Sequence, residues 1–186
     1  MKSAGISPTP IMGIAGWKKS GKTTLVTRLI AEFTRRGCKV GTIKHAHHDF
    51  QIDEGEADSA RHRRAGAGQV AVVSAKRWAL INELGDAPEP PLEEIIPWLQ
   101  PCDLIIVEGY KRAPISKIEL RRRGAASHEP LADSDPTVRA IAADYAIQDA
   151  PLPVFALDDI AGLADFIAEI AGVKTKTSKP AATSAK

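Results

Sequence analysis

Three features of the sequence predict an α/β fold, with a mostly parallel, mixed sheet and helices on both faces. Short apolar runs of strand length alternate with segments of helical periodicity, the pattern of a sheet covered from both sides. The first strand-helix pair is joined by Gly16-Trp17-Lys18-Lys19-Ser20-Gly21-Lys22-Thr23, which fits G-x-x-x-x-G-K-T, the phosphate-cradling P-loop. The most apolar run, Leu104 to Val107, ends on an acid, Glu108, as a P-loop requires of a neighbouring buried strand. Together these predict a P-loop NTPase type of α/β domain.

In chain order, Met1 to Pro10 has no periodicity and two prolines and reads as a loose lead-in (residues 1–9), with the nucleotide-binding domain running over 10–172. Ile11 to Ala15 is the first strand. From Thr23, the apolar residues Leu25, Val26, Leu29, Ile30 and Phe33 recur at helical spacing, with Arg28, Glu32 and Arg35 outside that stripe. Arg35-Arg36-Gly37 ends the helix with basic residues in the last turn and a glycine beyond. Lys39 to Lys44 is the second strand. A polar segment follows, then an Arg- and His-rich helix over Ala57 to Ala67.

Gln69 to Val73 and Trp78 to Ile81 read as strands joined around Ser74-Ala75-Lys76, a hairpin that would make the sheet mixed. Leu92 to Ile96 is a short helix that Pro97 must kink or end. Further strands are expected near Ser116 to Leu120, Val138 to Ala142 and Pro153 to Leu157, and a last helix over Ile160 to Ala171. The stretch 173–186 is Lys, Thr, Ser, Ala and Pro, a composition that cannot bury a core and predicts a disordered tail.

The 186 residues suit one ordinary α/β domain, and an apolar content of 44% suffices for its core. A net charge of +2 gives no electrostatic case for nucleic acid as the main partner. With only two cysteines, Cys38 and Cys102, and neither a signal peptide nor an apolar run of spanning length, the expectation is a cytoplasmic protein with reduced thiols.

The candidate site is built on the loop. Gly16 and Gly21 allow turn conformations in which successive N–H groups converge on a phosphate, with Ser20 between them and Thr24 opening the helix. Lys22 reaches the β- and γ-phosphates and Thr23 ligates Mg²⁺. Lys18 and Lys19 have two readings, reaching the phosphates or standing in solvent. Glu108 lies at the carboxyl end of its strand, where open α/β sheets bind ligands, and serves Mg²⁺ directly or through water. Asp103, at the opposite end, reads as a surface residue or a cap.

Asp49, just past the second strand, is a second acidic candidate or a turn residue. His45, His47 and His48 invite a metal reading, but no second His/Cys cluster completes a site, and a loop meeting an anionic ligand fits better. Asp58 and Arg61 are spaced to pair on one helical turn. With His62, Arg63 and Arg64 they form either a solvated face or a patch gripping a phosphate or pterin-like anion. Arg121 to Gly124 looks like an exposed turn. The N-K-x-D and D-x-x-G patterns of switch GTPases are absent. Ser116-Lys117-Ile118-Glu119 is a distorted echo of the first, and Leu157-Asp158-Asp159 offers another carboxylate; a carboxylate accepting two N–H donors is suited to guanine.

Taken together, G-W-K-K-S-G-K-T-T-L, T-I-K-H-A-H-H-D-F, D-S-A-R-H-R-R-A-G-A and D-L-I-I-V-E-G-Y-K resemble the MobB family, the molybdopterin-guanine dinucleotide biosynthesis proteins B, over about residues 11–170. The resemblance implies a cytoplasmic, dimeric GTP-binding protein with at most weak GTPase activity. It would assist the guanylyltransferase MobA by delivering GTP or holding the molybdopterin cofactor nearby. On that basis Gly16, Ser20, Gly21, Lys22 and Thr23 bind phosphate, Thr23 and Glu108 serve Mg²⁺, and His47, His48 and Asp49 belong to the family's characteristic loop. Glu56-Ala57-Asp58 departs from the family, which often has a basic residue before the Asp, and Pro97 is a second departure. A small-molecule kinase with Asp49 as base and a metallochaperone NTPase using the histidines are the alternatives.

Overall fold

The computed structural model describes residues 9–46, 50, 52, 55, 57–99 and 101–174. The lead-in before residue 9, the tail beyond residue 174, and His47, His48 and Asp49 lie outside the described residues. Two compact units share the chain, one formed by 1–45 with 96–186 and the other by 46–95.

The larger unit holds a six-stranded sheet. Its strands are β1 (Ile11–Gly16), β2 (Val40–Lys44), β5 (Leu104–Glu108), β6 (Lys117–Arg121), β7 (Val138–Ala143) and β8 (Val154–Ala156), in the order β2-β5-β1-β6-β7-β8. Every pairing is parallel. Parallel strands need crossovers that lie on the sheet faces, so central strands are buried on both sides and read as unbroken apolar runs. All of β5 is buried for this reason. The register sets Ile14 of β1 and Lys44 of β2 on either side of Glu108, so these carboxyl ends are level.

Helix α1 (Lys22–Arg35) and helix α4 (Ile160–Ala171) pack on one face with Met12, Ile14, Leu104, Ile106, Ile118 and Leu120. Leu29 and Phe33 have no exposed surface, and such burial is worth about 1.5–3 kcal/mol for each side chain. The other face carries a 3-10 turn, Ile96–Leu99. There a Cβ on Gly41 would lie 2.9 Å from Cys102 Sγ and 3.5 Å from Leu99 Cβ, so only glycine lets this turn approach β2. Pro97 sits in the turn and accounts for the switch from the α-helix Leu92–Ile95 (α3) to 3-10 geometry, because its ring leaves no N–H for the α ladder. Cys38 is buried and Cys102 partly buried.

The helix ends follow the local chemistry. Asp159 caps α4 by accepting from Gly162 N at 3.0 Å. Gly172, at φ 69°, closes it in a left-handed turn, and Val173 N returns to Ala168 O at 2.9 Å. That turn folds Val173, which composition places at the start of the tail, into the core. Asp103 Oδ2 accepts from Lys39 N at 2.7 Å, a cap at the amino ends of β2 and β5.

The smaller unit contains α2 (Asp58–Arg64), α3 and a hairpin of β3 (Gln69–Val73) with β4 (Trp78–Asn82). This hairpin is a separate two-stranded sheet, so the main sheet stays parallel throughout. Arg63 pairs with Glu83 at 2.9 Å across this unit. No helix among the described residues is long and apolar enough to cross a membrane.

An ion cluster ties α1 to α4. Glu32 accepts from Arg35 and Arg36, and Arg36 reaches Asp165 and the carbonyl of Ala161. The hydrogen bonds from Arg35 and then Arg36 hold the Glu32 carboxyl at about 2, below its usual 4.5. A depressed carboxyl stabilises the fold fully above its unfolded value and loses that contribution as pH falls through the folded one. Stability should therefore drop between pH 4.5 and 2, and Glu32→Gln should flatten that part of the curve; urea midpoints across this window measure it, and an unchanged slope would remove the cluster from the acid response.

Candidate functional site

The P-loop leaves β1 at Gly16 and enters α1 at Gly21, the helix N-cap at φ 90°. A Cβ on Gly16 would sit 2.7 Å from Leu120 O and 2.8 Å from Ser20 Oγ, so a side chain there is excluded by backbone that cannot yield. Lys19 holds a φ of 65° at the loop's apex, and Ser20 N closes the turn on Trp17 O at 3.1 Å. The first turn of α1 has no acidic residue, leaving its positive end open to an anion.

Inside the loop, Lys22 Nζ donates to Gly16 O at 3.0 Å and to Trp17 O at 2.9 Å. Burial lowers its pKa, opposed by Glu108 and aided by Lys111 and Lys44. Ser20 is fully buried, and its hydroxyl has no hydrogen-bond partner among the described residues. Such an orphan costs about 1–3 kcal/mol, and a bound phosphate oxygen would relieve it. Thr23 Oγ1 donates to Glu108 Oε1 at 2.8 Å, and both oxygens can turn to one divalent cation. The cradle therefore fits a phosphate, and the Thr23–Glu108 pair fits Mg²⁺.

Lys18 and Lys19 are exposed at the loop tip, and Lys18 O accepts from Ala126 N at 2.8 Å. Thr24 is exposed in the first turn of α1. Arg61 belongs to the smaller unit, where it stands in solvent 3.7 Å from Asp58. The structure thus brings together Gly16, Ser20, Gly21, Lys22, Thr23 and Glu108. Among the described residues no group of three or more His, Cys, Asp or Glu side chains is placed to hold a metal ion.

Two readings of the sequence are corrected. Glu119 is buried, receives both ends of the Arg121 guanidinium, and accepts from Leu131 N and Ala132 N. Lys117 Nζ is committed to Asp135, Thr137 and the carbonyl of Ala113. The Ser116 to Glu119 segment is therefore scaffold, with no edge left for a base. Arg121 is a residue of β6, half-buried by its Glu119 pair, and the turn begins after it.

Lys44 and Lys111 are the side chains that sequence reasoning missed. Lys44 Nζ is 3.5 Å from both Glu108 Oε1 and Thr23 Oγ1. Lys111 Nζ lies 3.5 Å above the Trp17 ring, and burial lowers its pKa. Trp17 is fixed in turn by donating to Glu129 O at 2.7 Å. His45 packs on Tyr110 at 4.7 Å, and its N donates to Glu108 O at 2.9 Å. Gly109, at φ 92°, permits this junction because a Cβ would meet His45 Cβ at 3.1 Å. Lys44 and Lys111 had two signals: each lies at or just past the carboxyl end of a parallel strand, and each belongs to a segment that carries the family resemblance.

The chain as a whole matches known proteins. The profile of the MobB family, "Molybdopterin guanine dinucleotide synthesis protein B", matches residues 11–144. The molybdopterin-guanine dinucleotide biosynthesis adapter protein of Escherichia coli (strain K12) is 41% identical over 170 residues, 89% of this chain and 95% of that protein. The protein of the same name from Haemophilus influenzae is 37% identical over 85% of this chain and 87% of its own length. The crystal structure of Bacillus subtilis MobB superimposes with a TM-score of 0.69 at 26% identity, covering 89% of this chain and 98% of that one.

Glu108→Gln keeps the Thr23 hydrogen bond but removes the charge a cation needs. Nucleotide affinity without Mg²⁺ should change less than threefold, and the gain on adding Mg²⁺ should fall at least tenfold, about 1.4 kcal/mol. Titration with and without Mg²⁺ decides this, and a collapse of the metal-free affinity would place Glu108 elsewhere.

Proposed function

The chain belongs to the molybdopterin guanine dinucleotide synthesis protein B family, and from that premise we propose that it is a GTP-binding adapter in molybdenum cofactor biosynthesis. It assists the guanylyltransferase MobA in forming molybdopterin guanine dinucleotide. The observation that carries the reading is the Thr23–Glu108 hydrogen bond of 2.8 Å beside a P-loop whose lysine already points into the loop. In this reading the backbone N–H groups from Gly16 to Thr23 hold the phosphates, Lys22 neutralises them, and Thr23 with Glu108 holds Mg²⁺.

Hydrolysis is at most weak. Glu108 Oε1 accepts from Thr23 and lies 3.5 Å from Lys44, so it is engaged by a hydroxyl and an amine and suits a metal's ligand better than a base. Bound Mg²⁺ would draw charge off the terminal phosphate. Lys22, Lys44 and Lys111 add positive charge that favours holding a triphosphate. We assign His47, His48 and Arg61 to a second anionic ligand, for which molybdopterin has the fitting chemistry, and Asp49 to the polar groups of that same ligand. A homodimer in the cytoplasm completes the reading. It is supported by the exposed apolar hairpin residues Val73 and Trp78, 74% and 62% accessible.

Competition binding of GTP, ATP and molybdopterin to the wild type and Lys22→Ala tests the proposal. GTP is expected to win over ATP, and Lys22→Ala to lose GTP affinity by roughly a hundredfold, about 2.7 kcal/mol. Preference for ATP, or wild-type protein that binds no GTP, would sink it.

A further inference from the structure

A cavity of about 590 Å³ opens at the carboxyl ends of β7 and β8, lined by Arg28, Asp144, Tyr145, Ala156, Leu157 and Asp158 among others. Because the whole sheet is parallel, this edge is the one that carries the P-loop. It lies on the β6 side of β1, whereas Glu108 and Lys44 lie on the β5 side. We propose that this cavity is the base subsite of the nucleotide held by the P-loop, and that Asp158 reads the hydrogen-bonding edge of guanine. The inference rests on the nucleotide-binding reading above.

Physical continuity links the two places. Arg122 Nη1 lies 3.4 Å from where a Cβ on Gly21 would be, and Arg122 Nε lies 3.6 Å from Asp144 Oδ2. One guanidinium therefore runs from the end of the phosphate loop to the rim of the cavity. Arg28 is six residues beyond Lys22 on α1, roughly 9 Å along the helix axis, the order of length that separates the middle phosphate from the base in an extended nucleotide.

The reading edge is preorganised. Arg28 Nη1 donates to Leu157 O at 3.0 Å and Nη2 to Asp158 O at 3.3 Å, which pins the segment after β8 onto α1. With both carbonyls held, the Asp158 side chain is exposed at the mouth. Asp144, by contrast, accepts from Arg123 N at 2.9 Å and faces Arg122, so it anchors the wall. Arg123 lies 5.5 Å over the Tyr145 ring, which positions that ring as a flat apolar wall.

The chemistry then selects the base. Guanine presents adjacent N1–H and N2–H donors, which a carboxylate accepts as a pair, whereas adenine presents a lone pair at N1 that a carboxylate repels. Xanthine carries a carbonyl in place of the 2-amino group, so it suits an amide that can donate.

Calorimetric titration of the full chain with GTP, xanthosine triphosphate and inorganic tripolyphosphate tests the assignment. Asp158→Asn should lose GTP affinity at least tenfold, gain xanthosine triphosphate affinity by a similar factor, and leave tripolyphosphate within twofold. Ala156→Phe, which fills the cavity, should weaken both nucleotides tenfold and again spare tripolyphosphate. An unchanged ratio of GTP to xanthosine triphosphate in Asp158→Asn would overturn the assignment, as would a switch produced by Asp144→Asn instead. Wild-type protein that binds tripolyphosphate through Lys22 but gains nothing from a base would overturn the subsite and leave the phosphate loop standing. Wild-type protein that binds neither would overturn the nucleotide reading itself, and the subsite with it.

Discussion

Glu108 sits between Ile14 of β1 and Lys44 of β2 because three parallel strands share one register. From that alignment follow the Thr23 hydrogen bond, the nearby Lys44 ammonium and the contact of His45 with Gly109. A shift of one residue in β5 would turn Glu108 to the opposite face, since strand side chains alternate. It would also exchange the apolar residues of β5 between the two packed faces and disrupt their packing. The same burial that stabilises the sheet thus fixes the carboxylate against the loop.

The two flanks of β1 divide the work. On the β5 side stand Glu108, Lys44 and Lys111, one acid and two lysines beside the loop. On the β6 side the carboxylate of Glu119 is satisfied by Arg121 and two backbone N–H groups, and Lys117 by Asp135 and Thr137. Buried charges of this kind must be fully paired. Their pairing holds the scaffold.

Two of the three non-glycine residues at positive φ among those described flank the site. Lys19 and Tyr110 take positive φ values on either side of the site, and Ser20 keeps a buried hydroxyl without a partner among the described residues. Elsewhere the main sheet is regular, with one register shift between β6 and β7. Local rules are broken where a ligand can compensate for them.

The sequence by itself determined what local spacing can encode. The P-loop and its helix, and the buried β5 strand with Glu108 at its end, are contained in short windows. The K-H-x-H-H-D and V-E-G-Y-K segments carried the family. Only the tertiary structure decided the rest, because it depends on which strand ends become neighbours. Lys44, Lys111 and Arg122 reach the loop from separate strands or the turns after them, and no window contains two of them with Lys22. Glu119 resembled a base reader in one dimension and proved to be paired with Arg121 in three. Asp158 was one of two carboxylate segments that the sequence offered for guanine, and the parallel sheet set it at the rim of a cavity on the P-loop's own edge. Hydrogen bonding along a strand is local, but the order of strands is set by burial of the whole sheet, and the site was legible only as far as the first of these reaches.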